Sequence, residues 1–238
     1  MGCGRLLHVL GSIAVRFAIP LVVALSAVAL VAGCGDGDDE AAAPVPLAQR
    51  FVTAEDAPGS KPDPVETRQT TVNFDEFIAT LTEGLIDPDP DEMNEVFENA
   101  GFKSAGLDAR FFGETHSPEQ SPHVFSSFIE VESEDGATSA LDWLETDSKK
   151  PCPMSCAVQI SEFDVDGIPD ARGVHRVATA EDIERVGNAD ERPRDSYLVA
   201  FTVGPIVYRV DLQGPPGSVS EEQALDIASA YYDRLTGS

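Results

Sequence analysis

Apolar residues recur between positions 69 and 238 with two spacings, which indicate helices and strands. Spacings of three or four, typical of helices that bury one side, occur in residues 73–85, 89–101, 134–150 and 220–237. Alternating or continuous apolar runs, typical of strands, occur in residues 107–114, 123–132, 157–165, 173–179, 196–203 and 206–212. The pattern therefore predicts helices and short strands that are interspersed along the chain.

Most connections between neighbouring strands are too short for parallel crossovers, so consecutive strands are expected to pair as antiparallel hairpins. Gly204-Pro205, for example, leaves room only for a two-residue turn between the last two strands. This order predicts the α+β class: a mainly antiparallel sheet with helices packed on one face, in a single domain over residues 69–238. A strand–strand–helix order occurs in residues 107–147 and again in 196–235, and a duplication stays an open interpretation.

The first 33 residues have the organisation of a secretory signal peptide, with Arg5 and Arg16 before an uncharged apolar run. The run ends in Val31-Ala32-Gly33-Cys34, which resembles the lipobox of bacterial lipoproteins. That resemblance implies that the Cys34 thiol is acylated, as with a palmitate chain, and that the signal is cut before it. The domain would then lie outside the cell, anchored to the outer leaflet of the plasma membrane. An uncleaved anchor helix is the alternative, and it leaves the domain on the same side.

Residues 34–68 are rich in Pro, Ala, Gly and acidic residues. Such a composition buries too little apolar area to offset the entropy of ordering, so it predicts a disordered acidic stalk that serves as a flexible linker. The whole chain carries a formal net charge of −26. This charge repels phosphate groups and argues against nucleic acid as a partner, although acidity also keeps an exported protein soluble.

Two cysteines, Cys152 and Cys156, stand close together in the segment "KPCPMSCA". In an oxidising compartment their mutual pairing is the natural expectation, and Pro151 and Pro153 favour the tight turn that a disulfide needs. A redox couple or half of a zinc site are the alternatives. The C-x3-C spacing differs from the C-x2-C of thioredoxin-like proteins, and no histidine lies beside it.

The acidic segment "DPDPDEMNEVFE" raises a weak calcium alternative. Its carboxylates fall in an EF-hand-like register, but Glu92 stands where the sharp turn needs glycine. The residues in that register are Asp87, Asp89, Asp91, Glu95 and Glu98. The simpler interpretation is a helix start, with Asp89 as the N-cap and Pro90 in the first turn.

Neither a catalytic motif nor a cofactor motif stands out. The sequence contains no G-x-S-x-G nucleophile elbow, no Gly-rich phosphate loop and no pair of histidines at metal-binding spacing. We therefore expect no cofactor and favour a protein that is not an enzyme, while a triad assembled from distant residues stays open. Aromatic residues of the strands and the last helix are candidates to line a site for a small apolar ligand, with core packing as the alternative; they are Phe125, Phe128, Phe201, Tyr208 and Tyr232.

Several segments together resemble actinobacterial cell-surface lipoproteins that have no assigned activity, some of them loosely similar to extracellular sensor domains. These segments are the lipobox, "DGATSALDWL", "PCPMSC", "GIPDARG" and "AFTVGPIVYRVDLQGPPG". The resemblance implies outer-leaflet anchoring and a ligand-binding or sensor module, and it brings no catalytic residue. A protein-interaction or envelope-structural lipoprotein, with an envelope protein as partner, is the second hypothesis, and an envelope hydrolase is the third.

Overall fold

The computed structural model describes residues 45–64, 69–71, 73–78, 89–117, 119–149, 158–186 and 193–238. Within these residues the strands are β1 Ser60–Pro62, β2 Gln69–Thr71, β3 Ser104–Phe112, β4 His123–Glu130, β5 Val158–Phe163, β6 Arg172–Ala178, β7 Arg194–Val203 and β8 Ile206–Gly214. The helices are α1 Pro90–Ala100, α2 Glu134–Ser148, α3 Ala180–Val186 and α4 Glu221–Thr236, with a 3-10 turn at Leu47–Gln49. Residues 74–78 are also helical.

The described strands form one antiparallel sheet in the order β1-β3-β4-β8-β7-β6-β5, with β2 on the same edge of β3 as β1. Three hairpins, β3–β4, β5–β6 and β7–β8, supply most of it, because each pairs strands that follow one another. The pairing of β4 with β8 joins the first hairpin to the last in the middle of the sheet. The predicted α+β class and antiparallel sheet are confirmed.

Helices cover both faces of this sheet, whereas the sequence pattern predicted one covered face. Alternate residues of a strand point to opposite faces. On β7, Ala200 packs in the cluster that holds α1 and α2, whereas its neighbour Phe201 packs in the cluster that holds α4. We call these two sides the α2 face and the α4 face. The two strand–strand–helix segments therefore place their helices on opposite faces, and this arrangement lends no support to a duplication.

The helix ends form as their residues predict. Asp89 caps α1, where its carboxylate accepts hydrogen bonds from the backbone N–H groups of Asp91 and Glu92. Gly101 ends that helix with a φ of 72°, a left-handed conformation that glycine adopts at low cost. Ser220 caps α4 by accepting from the Gln223 N–H.

Residues 45–64, which we call the N-terminal arm, belong to the fold, and the linker prediction is wrong for them. Phe51 and Val52 are at most 1% exposed in the core of the α4 face. The Val52 N–H donates to Ser126 Oγ at 3.1 Å, and Ser60–Pro62 adds strand β1 to the sheet edge. The arm therefore completes one layer of the domain, which includes residues 45–64 in addition to the predicted residues from 69 onward.

Other predictions lie outside the described residues. They concern the signal peptide, Cys34, the first residues of the linker, Cys152, Cys156 and Asp87.

Candidate functional site

A cleft of about 290 Å³ lies on the α2 face, between the sheet and the helical residues 74–78. Its floor comes from alternate residues of β3, β4, β7 and β8. These strands are hydrogen-bonded neighbours, and residues that lie opposite each other on paired strands point to the same face of the sheet. The residues that line it are Thr70, Thr71, Glu76, Phe77, Ala105, Gly106, Leu107, Phe125, Ser127, Phe128, Ile129, Leu198, Arg209, Asp211 and Gln213.

The β3–β4 side of the cleft is mostly apolar. Leu107 and Phe125 lie on the floor, Ile129 lies deeper at 3% exposure, and Phe77 closes the side at 4% exposure. Phe77 is held in place by a stacked contact with Phe102, with ring centroids 4.5 Å apart. This side can take up an apolar group and shield it from water.

The β8 side of the cleft carries polar groups, and the register fixes which of them are neighbours. Ser127 of β4 lies directly opposite Arg209 of β8, so both side chains leave the same face of adjacent strands. Within the described part of the chain, neither side chain makes a hydrogen bond or an ion pair, and Arg209 Nε is sealed from water. The cleft therefore contains a guanidinium and a hydroxyl with unused donors.

The environment of Arg209 disfavours its charge. Burial, followed by the positive charge of Arg176, lowers the pKa of the Arg209 guanidinium, and the negative charges of Asp211 and Asp147 offset this only in part. An arginine nevertheless stays protonated at physiological pH. An anion bound beside Arg209 would relieve the cost of this buried charge.

Asp211, the next cleft residue along β8, is already hydrogen-bonded on both oxygens. Ser196 Oγ donates to its Oδ1 at 2.6 Å, and Gln213 Nε2 donates to its Oδ2 at 2.7 Å. Gln213 lines the cleft and Ser196 is buried on the neighbouring strand, so the carboxylate is fixed in position. Asp211 therefore shapes the site without making a hydrogen bond to Arg209.

The rim of the cleft is set by a turn before the helical residues 74–78. Thr71 Oγ1 accepts from the Asn73 N–H at 3.1 Å and donates to Glu76 Oε2 at 3.0 Å. Asn73 Oδ1 accepts from the Glu76 N–H at 3.3 Å, as expected of an N-cap. These bonds fix the height of Phe77 above the sheet.

Of the five aromatic candidates from the sequence, Phe125 and Phe128 adjoin this cleft. Phe125 does so from the α2 face, whereas the Phe128 side chain is fully buried in the core cluster of the α4 face. The other three candidates also lie on the α4 face, where Phe201 and Tyr208 are fully buried and Tyr232 packs against the core. Phe201 and Tyr208 both contact Tyr231, with ring centroids 5.9 Å and 5.6 Å from it.

The sequence analysis missed Ser127 and Arg209. A signal for Arg209 was present, because it is a charged residue in the alternating segment "IVYRVDL", on a strand that lies in the middle of the sheet. Its partner could not be identified, because the register between β4 and β8 spans more than eighty residues of chain.

A second cavity of about 270 Å³ lies beside α4 on the other face of the sheet. Asp56 and Asp226 contribute to its wall together with Phe112, Leu212 and Ile227. The Asp56 carboxylate in its wall is already bound by Arg234.

No group of metal-ligating side chains that could hold an ion occurs among the described residues. For the weak calcium alternative, the part that is described shows Asp89 occupied by its helix cap. No helix in the described ranges combines the length and the apolar character that crossing a membrane requires.

Comparisons with known proteins give little further information. No family model matches the chain, and no curated protein matches it in sequence. Among solved structures, the chain is similar to the extracellular domain of PknH from Mycobacterium tuberculosis, with a TM-score of 0.46 and 12% sequence identity over 76% of this chain and 86% of that one.

Proposed function

We propose that this chain is a ligand-binding or sensor module that acts outside the cell, anchored to the outer leaflet of the plasma membrane by a lipid on Cys34. The observation that carries the binding function is the cleft on the α2 face. Its volume of about 290 Å³ is near the lower end of small-molecule sites. A mostly apolar lining with a few convergent polar groups is what such sites have in common.

The alternatives have less support from the described residues. A protein-interaction surface commonly presents an exposed apolar patch. Among the described residues, Leu47 is the only large apolar side chain that is exposed, at 50%. A hydrolase needs a nucleophile beside a general base. Ser127, the cleft hydroxyl opposite Arg209, has no hydrogen bond to a base among the described residues.

The proposed location outside the cell, on the plasma membrane, is inferred from the sequence. The apolar run that ends in Val31-Ala32-Gly33-Cys34 supports export and lipid attachment. Every residue that lines the cleft follows Cys34 in the chain, so the cleft would be exported together with the anchor.

Native mass spectrometry of the protein purified from its own host membrane tests the binding function. A co-purified small molecule that is released on denaturation supports it. A species with only the polypeptide and its anchor mass, combined with no binding of any apolar probe, would contradict it. The variant Cys34→Ala tests the anchor separately, because the acyl mass and the membrane partitioning should both disappear.

A further inference from the structure

We propose that the cleft selects amphipathic monoanions, whose carboxylate is bound by Arg209 and Ser127 and whose apolar chain lies against Leu107, Phe125 and Ile129. This inference depends on the proposed function and deepens it, because it names the chemical class of the ligand. Decanoate is a simple representative of that class.

The first argument is that Arg209 lacks the acidic partner that three other arginines of the domain have. Arg50 binds Glu130, Arg172 binds Glu145, and Arg234 binds Asp56. Arg209, in contrast, has no hydrogen-bond or ion-pair partner in the described part of the chain, and its Nε is buried. The Nε of Arg176 is also buried without a partner there, but of these two arginines only Arg209 lines the cleft. A buried donor without a partner costs stability, and more so when it is charged. A ligand oxygen would satisfy it.

The second argument is geometric. A guanidinium presents parallel N–H donors that match the two oxygens of a carboxylate, which makes bidentate binding the preferred mode. The Ser127 hydroxyl leaves the neighbouring strand directly opposite Arg209 and supplies one more donor. Three donors from two adjacent strands can therefore converge on one anionic group.

The nearby acids do not take the place of that anion. Both Asp211 oxygens already accept hydrogen bonds, from Ser196 and Gln213. Asp147 acts on Arg209 through its charge, and no hydrogen bond joins the two side chains. Glu76 lies on the rim, where it accepts from Thr71 Oγ1. The negative charges of the acidic groups therefore offset part of the cost of burying the Arg209 charge, while the N–H donors of Arg209 stay available for a ligand.

The third argument concerns the rest of the ligand. Leu107, Phe125, Ile129 and Phe77 form one continuous apolar side of the cleft next to Arg209. Burying an alkyl chain there removes its apolar surface from water, which favours binding. A small inorganic anion would leave this side unfilled, and a neutral apolar molecule would leave Arg209 without a partner. An amphipathic anion satisfies both sides.

Calorimetry with three ten-carbon probes, each below its micelle concentration, tests the inference. The probes are decanoate, decan-1-ol and decyltrimethylammonium, and the protein is the chain from residue 35 onward, which contains every described residue. We expect decanoate to bind at least about tenfold more tightly than decan-1-ol, since a hydrogen bond to a charged group is worth about 1.5–3 kcal/mol. The cationic probe should bind most weakly.

The variants separate Arg209 from its surroundings. In Arg209→Gln, decanoate affinity should fall by about tenfold or more, while decan-1-ol affinity should change by less than about threefold. Ser127→Ala should weaken decanoate binding by about three- to tenfold, as for one lost hydrogen bond. Arg176→Gln is the matched control, because this arginine adds positive charge nearby without lining the cleft.

The outcomes distinguish this inference from the proposed function. Equal binding of the alcohol, the acid and the ammonium probe would overturn anion selection and leave ligand binding intact. The same conclusion would follow if Arg176→Gln weakened decanoate binding as much as Arg209→Gln. Failure of all three probes to bind a folded wild-type protein would overturn both.

Discussion

Arg234 and Asp56 form a two-pronged ion pair across 178 residues of chain, with Nε 2.8 Å from Oδ1 and Nη2 2.7 Å from Oδ2. The same guanidinium donates to the backbone carbonyls of Gln49 and Phe51, each at 2.8 Å. One side chain near the end of α4 therefore holds three points of the N-terminal arm. At the other end of the arm, Asp63 Oδ2 lies 3.2 Å from His123 Nε2.

Removing Arg234 should loosen the arm and destabilise the domain. Asp56 is buried, so Arg234→Ala leaves its carboxylate with the Thr53 donors alone and removes the guanidinium donor from two backbone carbonyls. We expect a loss of about 2–4 kcal/mol in the free energy of unfolding, measured by urea denaturation. Lys61→Gln is the control, because its ion pair with Glu114 is exposed and 3.8 Å long, and such pairs contribute at most about 1 kcal/mol. Equal losses in both variants would contradict this role of Arg234.

The same ion pair should make stability depend on pH. Burial alone raises the pKa of Asp56, but hydrogen bonds from Arg234 and Thr53 outweigh it, so the pKa lies below its ordinary value of 3.8. A carboxyl with a lowered pKa in the folded state stabilises the fold above its unfolded pKa, and this contribution disappears as pH falls through the folded pKa.

Asp56→Asn should therefore reduce stability at pH 7 and flatten the loss of stability below about pH 4. Urea midpoints at pH 7, 5, 4 and 3 measure this difference between the variant and the wild type. The hydrogen-bonded carboxyls of Glu130 and Glu145, whose pKa values are also lowered, still titrate in the variant and leave a residual slope. Parallel curves for the two proteins would exclude a special contribution from Asp56.

Two buried tyrosines that touch each other should respond oppositely to loss of the hydroxyl. Tyr231 Oη donates to the Arg50 carbonyl at 2.5 Å, whereas Tyr208 Oη is buried without a hydrogen-bond partner among the described residues. We expect Tyr231→Phe to cost about 1–2 kcal/mol and Tyr208→Phe to be neutral or stabilising. Each is the control for the other in thermal or urea unfolding. Burial raises the pKa of Tyr208 to about 12, which absorbance titration can also check.

Truncation tests where the folded domain begins. A chain that starts at residue 45 should unfold cooperatively, whereas one that starts at residue 69 should lose several kcal/mol or fail to fold. The shorter chain lacks Phe51, Val52 and Ala57, all buried at 1% exposure or less. Full burial of a large apolar side chain is worth about 1.5–3 kcal/mol. If both chains showed the same unfolding midpoint, the arm would not be part of the stable core.

How far the sequence predicts the fold depends on whether a feature is local. Asp89 with Pro90, and Gly101 at the other end, define α1 through contacts within a few residues. The arm is different, because its prolines and acids resemble a linker, and Phe51 joins the core through distant residues such as Phe128, whose ring centroid lies 5.4 Å away. That contact joins segments far apart in the chain.

One sequence feature does indicate that both faces of the sheet are covered. The run Leu198-Val199-Ala200-Phe201 in β7 is apolar at every position. A strand that is buried on one side alone alternates, so a continuous run indicates burial on both sides. The cleft was harder to foresee, because Ser127 and Arg209 become neighbours only through the register of β4 against β8.

The inclusion of residues 45–64 in the domain also limits the length of chain between Cys34 and the folded part. Residue 45 follows Cys34 by only eleven positions, which span at most about 40 Å when fully stretched. If Cys34 carries the proposed acyl chain, residue 45 lies within that distance of the lipid headgroups, and the domain cannot extend far outward through a thick wall. An amphipathic anion of the proposed class that leaves the bilayer would then reach the cleft within a few nanometres of where it left.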